Sequence, residues 1–250
     1  MRILGNGLIA RSLRPVAHLH EDVIAFATGV PDSATASQAA FERECDMLYG
    51  ALEDARRHQQ RLVYFSGGGA IYGRWAVPAL ETSPLEPRSA YGRHQLLCEA
   101  IIASAGIGYL IARLPNLVGE GANPGQLVPA LVRQVIEGRV EVQAYATRDL
   151  IDALDLPTVI AALLDRASER DTVNVASGRS VPVPLLVDEI ARILGAQPAV
   201  VTRPGGEAQR FSTSHMTSIL GYDPFEGRDF RAILARYVPG LAEPGASAHG

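Results

Sequence analysis

The first residues able to do chemistry form a glycine loop. Gly5-Asn6-Gly7-Leu8-Ile9-Ala10 follows the apolar run Met1 to Leu4 and opens a stretch that reads as a helix to Leu19. The spacing is G-x-G-x-x-A. Gly5 permits a tight turn, Gly7 lets a pyrophosphate approach the backbone, and Ala10 lets the helix pack close to the sheet. The amides of Gly5, Asn6, Gly7, Leu8 and Ile9 are then candidate donors to a bound phosphate at a helix N-terminus. A dinucleotide site of this kind usually carries an acidic residue about 20 positions on, at the end of the second strand, for the adenosine ribose. Here Ala25-Phe26-Ala27-Thr28-Gly29 stands in that neighbourhood, with neither a carboxylate nor an arginine for a 2′-phosphate. The loop therefore predicts a weakly held NAD or NADP with little preference between them.

The elements that must position this loop alternate. Asp22 to Phe26, Arg61 to Phe65 and Gly108 to Arg113 are apolar runs that read as strands covered on both faces. Val140 to Tyr145 and Thr172 to Val175 read as further strands. Helices are expected over Ala36 to Gln60, Tyr91 to Ala105, Leu127 to Glu137, Leu156 to Ala167 and Val183 to Leu194, the last ended by Gly195. Pro84 to Arg88 and Pro115 to Gly125 read as loops. Strands alternating with helices imply an α/β fold with a mostly parallel sheet.

Composition narrows the function classes. In 250 residues the apolar fraction is 47%, the charged fraction 20% and the net charge -4, with no basic run. This is an ordinary globular balance without the clustered cations that nucleic acid requires. No apolar run approaches the ~20 residues of a membrane span, and Met1-Arg2 shows no signal-peptide pattern. The expectation is a cytoplasmic protein with no nucleic-acid or membrane partner. Cys45 and Cys98, in two helix-like stretches without a CxxC pair, are expected as two buried reduced thiols, and no metal site is expected.

Six segments carry a family likeness: DVIAFATG (Asp22 to Gly29), LVYFSGGGAIYG (Leu62 to Gly73), SAYGRHQLLCE (Ser89 to Glu99), ARLPNLVGEG (Ala112 to Gly121), TRDLIDALDL (Thr147 to Leu156) and RPGGEAQRF (Arg203 to Phe211). In order and spacing they resemble the extended short-chain dehydrogenase/reductases of the nucleotide-sugar epimerase and dehydratase type. The likeness is to a trimmed and atypical member, because the fourth-strand segment arrives too early. The second and third strands and the helix between them are missing from the pattern. The resemblance implies a Rossmann-like doubly wound parallel sheet with a small C-terminal substrate lobe. It frames 1–240 as one domain, with lobe segments near 115–150 and 196–240, and 241–250 as a flexible tail.

The same resemblance implies an NAD(P)-dependent reductase or epimerase acting on a nucleotide-linked sugar. Tyr91 occupies the position of the proton-transferring tyrosine. Gln95 stands where the family has lysine, and Gly68 where it has serine or threonine, so Ser66 is the nearest candidate hydroxyl. Asn116, Arg148 and Arg203 match positions that contact the sugar or diphosphate, and two arginine forks suit phosphate oxygens. Family members often pair two helices across a homodimer. Here Phe41, Cys45, Leu48 and Leu52 form a helical stripe able to do this, or simply to face the core. The alternative to redox catalysis is a sugar-nucleotide binding protein, or a member with altered chemistry.

Overall fold

The computed structural model describes residues 1–29, 37–73 and 77–243. In chain order these form β1 (Arg2–Leu4), α1 (Leu8–Leu13), β2 (Val23–Phe26), α2 (Gln38–Arg57), β3 (Arg61–Gly67), α3 (Gly68–Ile71), α4 (Ala90–Ser104), β4 (Tyr109–Leu114), β5 (Asn116–Val118), α5 (Leu127–Ile136) and β6 (Arg139–Gln143). They continue as β7 (Thr147–Arg148), β8 (Leu150–Asp152), α6 (Leu156–Arg166), β9 (Arg170–Asn174), β10 (Val181–Pro182), α7 (Val183–Leu194), β11 (Ala199–Arg203), α8 (Ser214–Leu220) and α9 (Phe230–Leu241).

The central sheet runs β1-β2-β3-β4-β9, every pair parallel. Side chains alternate across each strand, so each face receives its own core. Val23, Ala25, Val63, Leu110 and Val173 meet Leu13, Leu156, Leu163, Met216 and Leu220 on one face. Ile24, Phe26, Leu62, Tyr64 and Ile111 meet Leu48, Leu52, Cys98 and Ile102 on the other. The expected α/β architecture with helices on both faces is what the chain adopts. A third core gathers Val135, Val140, Val142, Leu186, Ile190, Leu234 and Val238 from α5, β6, α7 and α9.

The order of the sheet bears on the site. In a doubly wound dinucleotide fold the first strand lies inside the sheet, where strand order reverses. Here β1 pairs with β2 alone, and among the described residues no strand borders its other side. This is the geometry expected when the strands of the adenosine half are missing.

Several expected boundaries move for local reasons. The helix expected to Leu19 stops at Leu13 and continues as a 3₁₀ turn, Arg14–Leu19, with Pro15 at its start. Proline has no N–H to continue an α-helical ladder. The helix expected over Ala36 to Gln60 spans Gln38–Arg57, and Ala36 lies outside the described residues. The loop expected over Pro115 to Gly125 contains β5, which pairs with β8. The strand expected over Val140 to Tyr145 is Arg139–Gln143, paired with β11. Within the lobe segment expected near 196–240, α8 joins the core of the main sheet through Met216 and Leu220. Of the expected tail, Leu241 closes α9, and 244–250 fall outside the described residues.

Candidate functional site

The glycine loop opens one end of a cleft of about 580 Å³ at the carboxyl ends of β1, β2 and β3. Gly5 has φ +119, and a Cβ there would lie 2.5 Å from the Ala27 carbonyl oxygen. Only glycine fits this close approach of the loop to the end of β2. Gly7 caps α1 in an extended conformation, and a Cβ there would meet nothing within 4 Å. The space above Gly7 is open to a ligand, and Ala10 is fully buried beneath the helix. Asn6, Gly7, Leu8 and Ile9 line the cleft, while Gly5 shapes the turn below it. These features fit the pyrophosphate of a dinucleotide. Phe26, Ala27, Thr28 and Gly29 line the next stretch of wall and carry no charged side chain themselves, while the Glu44 carboxylate lines the cleft beside Gly29.

Arg11 was not picked out by the sequence motifs. It lines the cleft and donates from Nη1 to the Asn6 carbonyl at 2.9 Å and from Nη2 to the Gly121 carbonyl at 2.8 Å. It thereby ties the glycine loop to the loop after β5. Its signal was its place, directly after the last residue of G-x-G-x-x-A.

Ser66, Tyr91, Gln95 and Asn116 are brought together along the same cleft. Ser37 and Ser89 cap the helices that flank this region, each accepting a backbone N–H from its own helix. Ser89 thus starts α4 two residues before Tyr91. Tyr91 packs its ring against Gly67, where a Cβ would stand 3.2 Å from Cε1 and 3.3 Å from the hydroxyl. Gln95, buried one turn later, accepts the Gly67 N–H through Oε1 at 3.1 Å. A lysine at this position would have no lone pair for that amide. The Ser66 hydroxyl is buried and has no hydrogen-bond partner among the described residues. Asn116 is aimed by its backbone: its N–H and its Nδ2 both donate to the Asp149 carbonyl, at 3.1 and 3.0 Å.

Burial pushes the Tyr91 phenol up to about 12, with the Glu44 carboxylate and Cys98 adding to the shift. At neutral pH the hydroxyl keeps its proton. Gly68 does not line the cleft. A Cβ there would lie 2.6 Å from the Phe211 ring and 3.3 Å from the Leu114 carbonyl, so a hydroxyl-bearing side chain is excluded at that position.

Other residues of the six segments are structural. Arg113 makes two hydrogen bonds to Glu99, at 2.6 and 3.1 Å, and one to the Tyr72 hydroxyl at 2.8 Å. Tyr72 in turn donates to Asn174 at 2.7 Å. This buried chain locks α4 to β4 and β9. Asp149, fully buried, accepts from the Ser177 N–H and hydroxyl and from the Gly178 N–H. Burial lifts its carboxyl to about 6, against those hydrogen bonds.

The two expected diphosphate arginines do not line the cleft. Arg148 Nη1 donates to the Thr147 and Glu207 carbonyls, each at 2.9 Å. Arg203 is exposed and pairs with Glu141 at 3.1 Å, across the β6–β11 ladder. The expected dimer stripe also looks inward in part: Leu48 and Leu52 are buried in the core, and Phe41 stacks on His94 with ring centroids 4.4 Å apart. Cys45 and Cys98, expected as two isolated thiols, instead converge on His94. His94 and Cys98 are four apart on α4, a spacing that was legible and overlooked. Among the described residues no helix is long and apolar enough to cross a membrane.

Residues 9–176 match the profile of the NAD dependent epimerase/dehydratase family. GDP-L-fucose synthase of Sinorhizobium fredii is 25% identical over 203 residues, 71% of this chain and 65% of its own length. UDP-glucose 4-epimerase of Corynebacterium glutamicum is 30% identical over 212 residues, 73% of this chain and 64% of its own. The chain thus spans less than two thirds of either relative. Among solved structures, RMD from Pseudomonas aeruginosa complexed with NADPH superposes with a TM-score of 0.75 at 21% identity, over 96% of this chain and 88% of that one.

Proposed function

Since the chain belongs to the NAD dependent epimerase/dehydratase family, we propose that it is an NAD(P)-dependent reductase of a ketone on a nucleotide-linked sugar. The observation that carries the reading is the single cleft that joins the glycine loop to Ser66, Tyr91 and Asn116. Gly7, Leu8 and Ile9 hold the pyrophosphate of the nicotinamide nucleotide, and Arg11 adds a cation beside it. The bound nucleotide supplies a hydride.

The chain's own residues set the protonation state of the site. With its phenol held up near 12, Tyr91 is a proton donor across the physiological range. An alkoxide forming from a ketone is a stronger base than a phenolate, so proton transfer from Tyr91 to it runs downhill. The phenolate base from which alcohol oxidation or epimerisation starts is correspondingly scarce at neutral pH. Ser66 offers a second hydroxyl to the carbonyl, and Asn116 meets the sugar. Gln95 keeps Gly67 in place without supplying the positive charge of a lysine.

Arg148 and Arg203 contact the diphosphate only if the region around Glu207 moves toward the cleft. After such a movement their guanidinium forks would match the diphosphate oxygens. Two copies pair through α2 and α4, by way of exposed Met47 and Leu97 rather than the inward stripe. We assign the protein to the cytoplasm and frame 1–240 as one domain carrying a substrate lobe.

A second reading, a sugar-nucleotide binding protein without redox turnover, draws on the neutral Gln95 and the raised phenol. Nucleotide fluorescence on the wild type and on Gly7→Val tests the seat that either enzyme or cofactor binder needs. The valine has room in the free protein yet fills the space above the loop. Reduced nicotinamide nucleotide should bind the wild type and not the variant, with the fold unchanged by circular dichroism. Equal binding by both proteins would remove the glycine loop from the site.

A further inference from the structure

Close to Tyr91, three metal-ligating side chains converge between two helices, and a carboxylate that also lines the cleft stands against one of them. Glu44 and Cys45 come from α2, His94 and Cys98 from α4. One ligand atom each of Cys45, His94 and Cys98 lies within 4.8 Å of the other two. His94 Nε2 is 3.6 Å from Cys98 Sγ and 3.1 Å from Glu44 Oε2. A tetrahedral zinc, with Zn–S of about 2.3 Å and Zn–N or Zn–O of about 2.0–2.1 Å, separates its donors by about 3.3–3.8 Å. The two measured edges are already near those of such a tetrahedron.

We infer that Cys45 Sγ, Cys98 Sγ and His94 Nε2 form a binding site for a zinc-class divalent cation that clamps α2 to α4, with Glu44 Oε2, 3.1 Å from His94 Nε2, turning in as the fourth ligand.

The donor set is right for that ion. Two thiolates and an imidazole select zinc over the hard cations, and a carboxylate completes four-coordination. The placement is right as well. Cys98 is fully buried, and Glu44 and His94 are 4% and 6% exposed. A seam between two helices gains most from apolar side chains, and burying a carboxylate and an imidazole there carries a desolvation cost. Their mutual contact at 3.1 Å offsets part of that cost, and coordination offsets more of it. Phe41 stacked on the His94 ring fixes the orientation of the imidazole, as the surroundings of metal-bound histidines do.

The ion has a way in, because Glu44 also lines the cleft and Cys45 is only half-buried. Binding displaces both thiol protons to solvent and uses the neutral imidazole. The occupied site then carries one net negative charge, so it cannot replace the missing lysine cation beside Tyr91. Its role is structural, and the inference stands whether or not the cleft turns over a sugar.

Cobalt(II) titration of the reduced, metal-stripped full chain tests it. The expected result is one cobalt per chain, with thiolate-to-cobalt charge transfer, the intense ligand-field bands of a tetrahedral site, and full displacement by zinc. Cys45→Ser and His94→Gln should each lose saturable binding while keeping the wild-type circular dichroism. The wild-type spectrum decides the matter even if a variant fails to fold. Absence of the charge-transfer band would overturn the proposal. So would cobalt binding that both substitutions leave unchanged, or recovery of native protein with Cys45 and Cys98 already joined as a disulfide.

Discussion

At the scale of single residues, the proposed proton donor is a tyrosine set beside backbone contacts rather than a cation. Tyr91 lies flat against Gly67, and Gln95 spends its carbonyl on the Gly67 amide. Tyr91→Phe removes the proton donor and little area. Turnover should fall by roughly 100-fold or more, the range of a general acid, while calorimetric affinity for a nucleotide-linked sugar stays within about twofold of wild type. Unchanged turnover would assign proton transfer to another group. Asp149 gives a separate test. Its folded pKa, about 6, lies above the ordinary 3.8, so the folded state binds the extra proton. The stability this confers is complete below about pH 4 and is lost as pH rises through 6. A shift of that size corresponds to about 2–3 kcal/mol. Asp149→Asn should lower stability overall but remove that fall, as read by urea unfolding between pH 4 and 7. Parallel wild-type and variant curves would contradict it. Legibility at this scale was uneven. Tyr91, Ser66, Gln95 and Asn116, singled out by their motif positions, line the same cleft. The exclusion of any side chain at Gly68 was invisible, because it depends on Phe211, far away in sequence.

At the scale of elements, the apolar runs at Val23–Phe26 and Tyr109–Leu114 announced buried parallel strands, and both formed with hydrophobic neighbours on two faces. Val183–Leu194 matched its expected ends, since Gly195 takes the left-handed φ of +62 that closes a helix. The short pairs β5–β8 and β7–β10 could not be read, because two- and three-residue strands have no period to detect and are held by tertiary partners. The early arrival of Asp22 to Gly29 did foretell the edge position of β1. That edge has a functional consequence. With no described strand beyond β1, no charged side chain on Phe26 to Gly29 themselves, and the neighbouring Glu44 carboxylate already paired with His94, the adenosine end of a dinucleotide meets little that could read its ribose. NADH and NADPH should therefore bind with dissociation constants within roughly tenfold of each other, a difference under about 1.4 kcal/mol. A strong preference measured by calorimetry would show that a ribose-reading group exists elsewhere.

At the scale of the whole molecule, two sheet-face cores and a third core around α5, α7 and α9 support the cleft that β3, α4, β5 and the loop after β1 line. The exposed Met47 and Leu97 lie on α2 and α4, the helices whose inner faces fill the core. Sedimentation at micromolar concentration should find a dimer that Met47→Glu with Leu97→Glu converts to monomer. A wild-type monomer would rule that pairing out. The central claim is that this shortened member of its family reduces a sugar ketone. The most direct measurement mixes the full chain with reduced nicotinamide nucleotide and a panel of keto nucleotide sugars, and follows nicotinamide absorbance alongside the sugar product. The account predicts a loss of reduced nucleotide matched one for one by the alcohol. Tight binding of both ligands with no loss of absorbance across the panel would contradict it and leave a binding protein in its place.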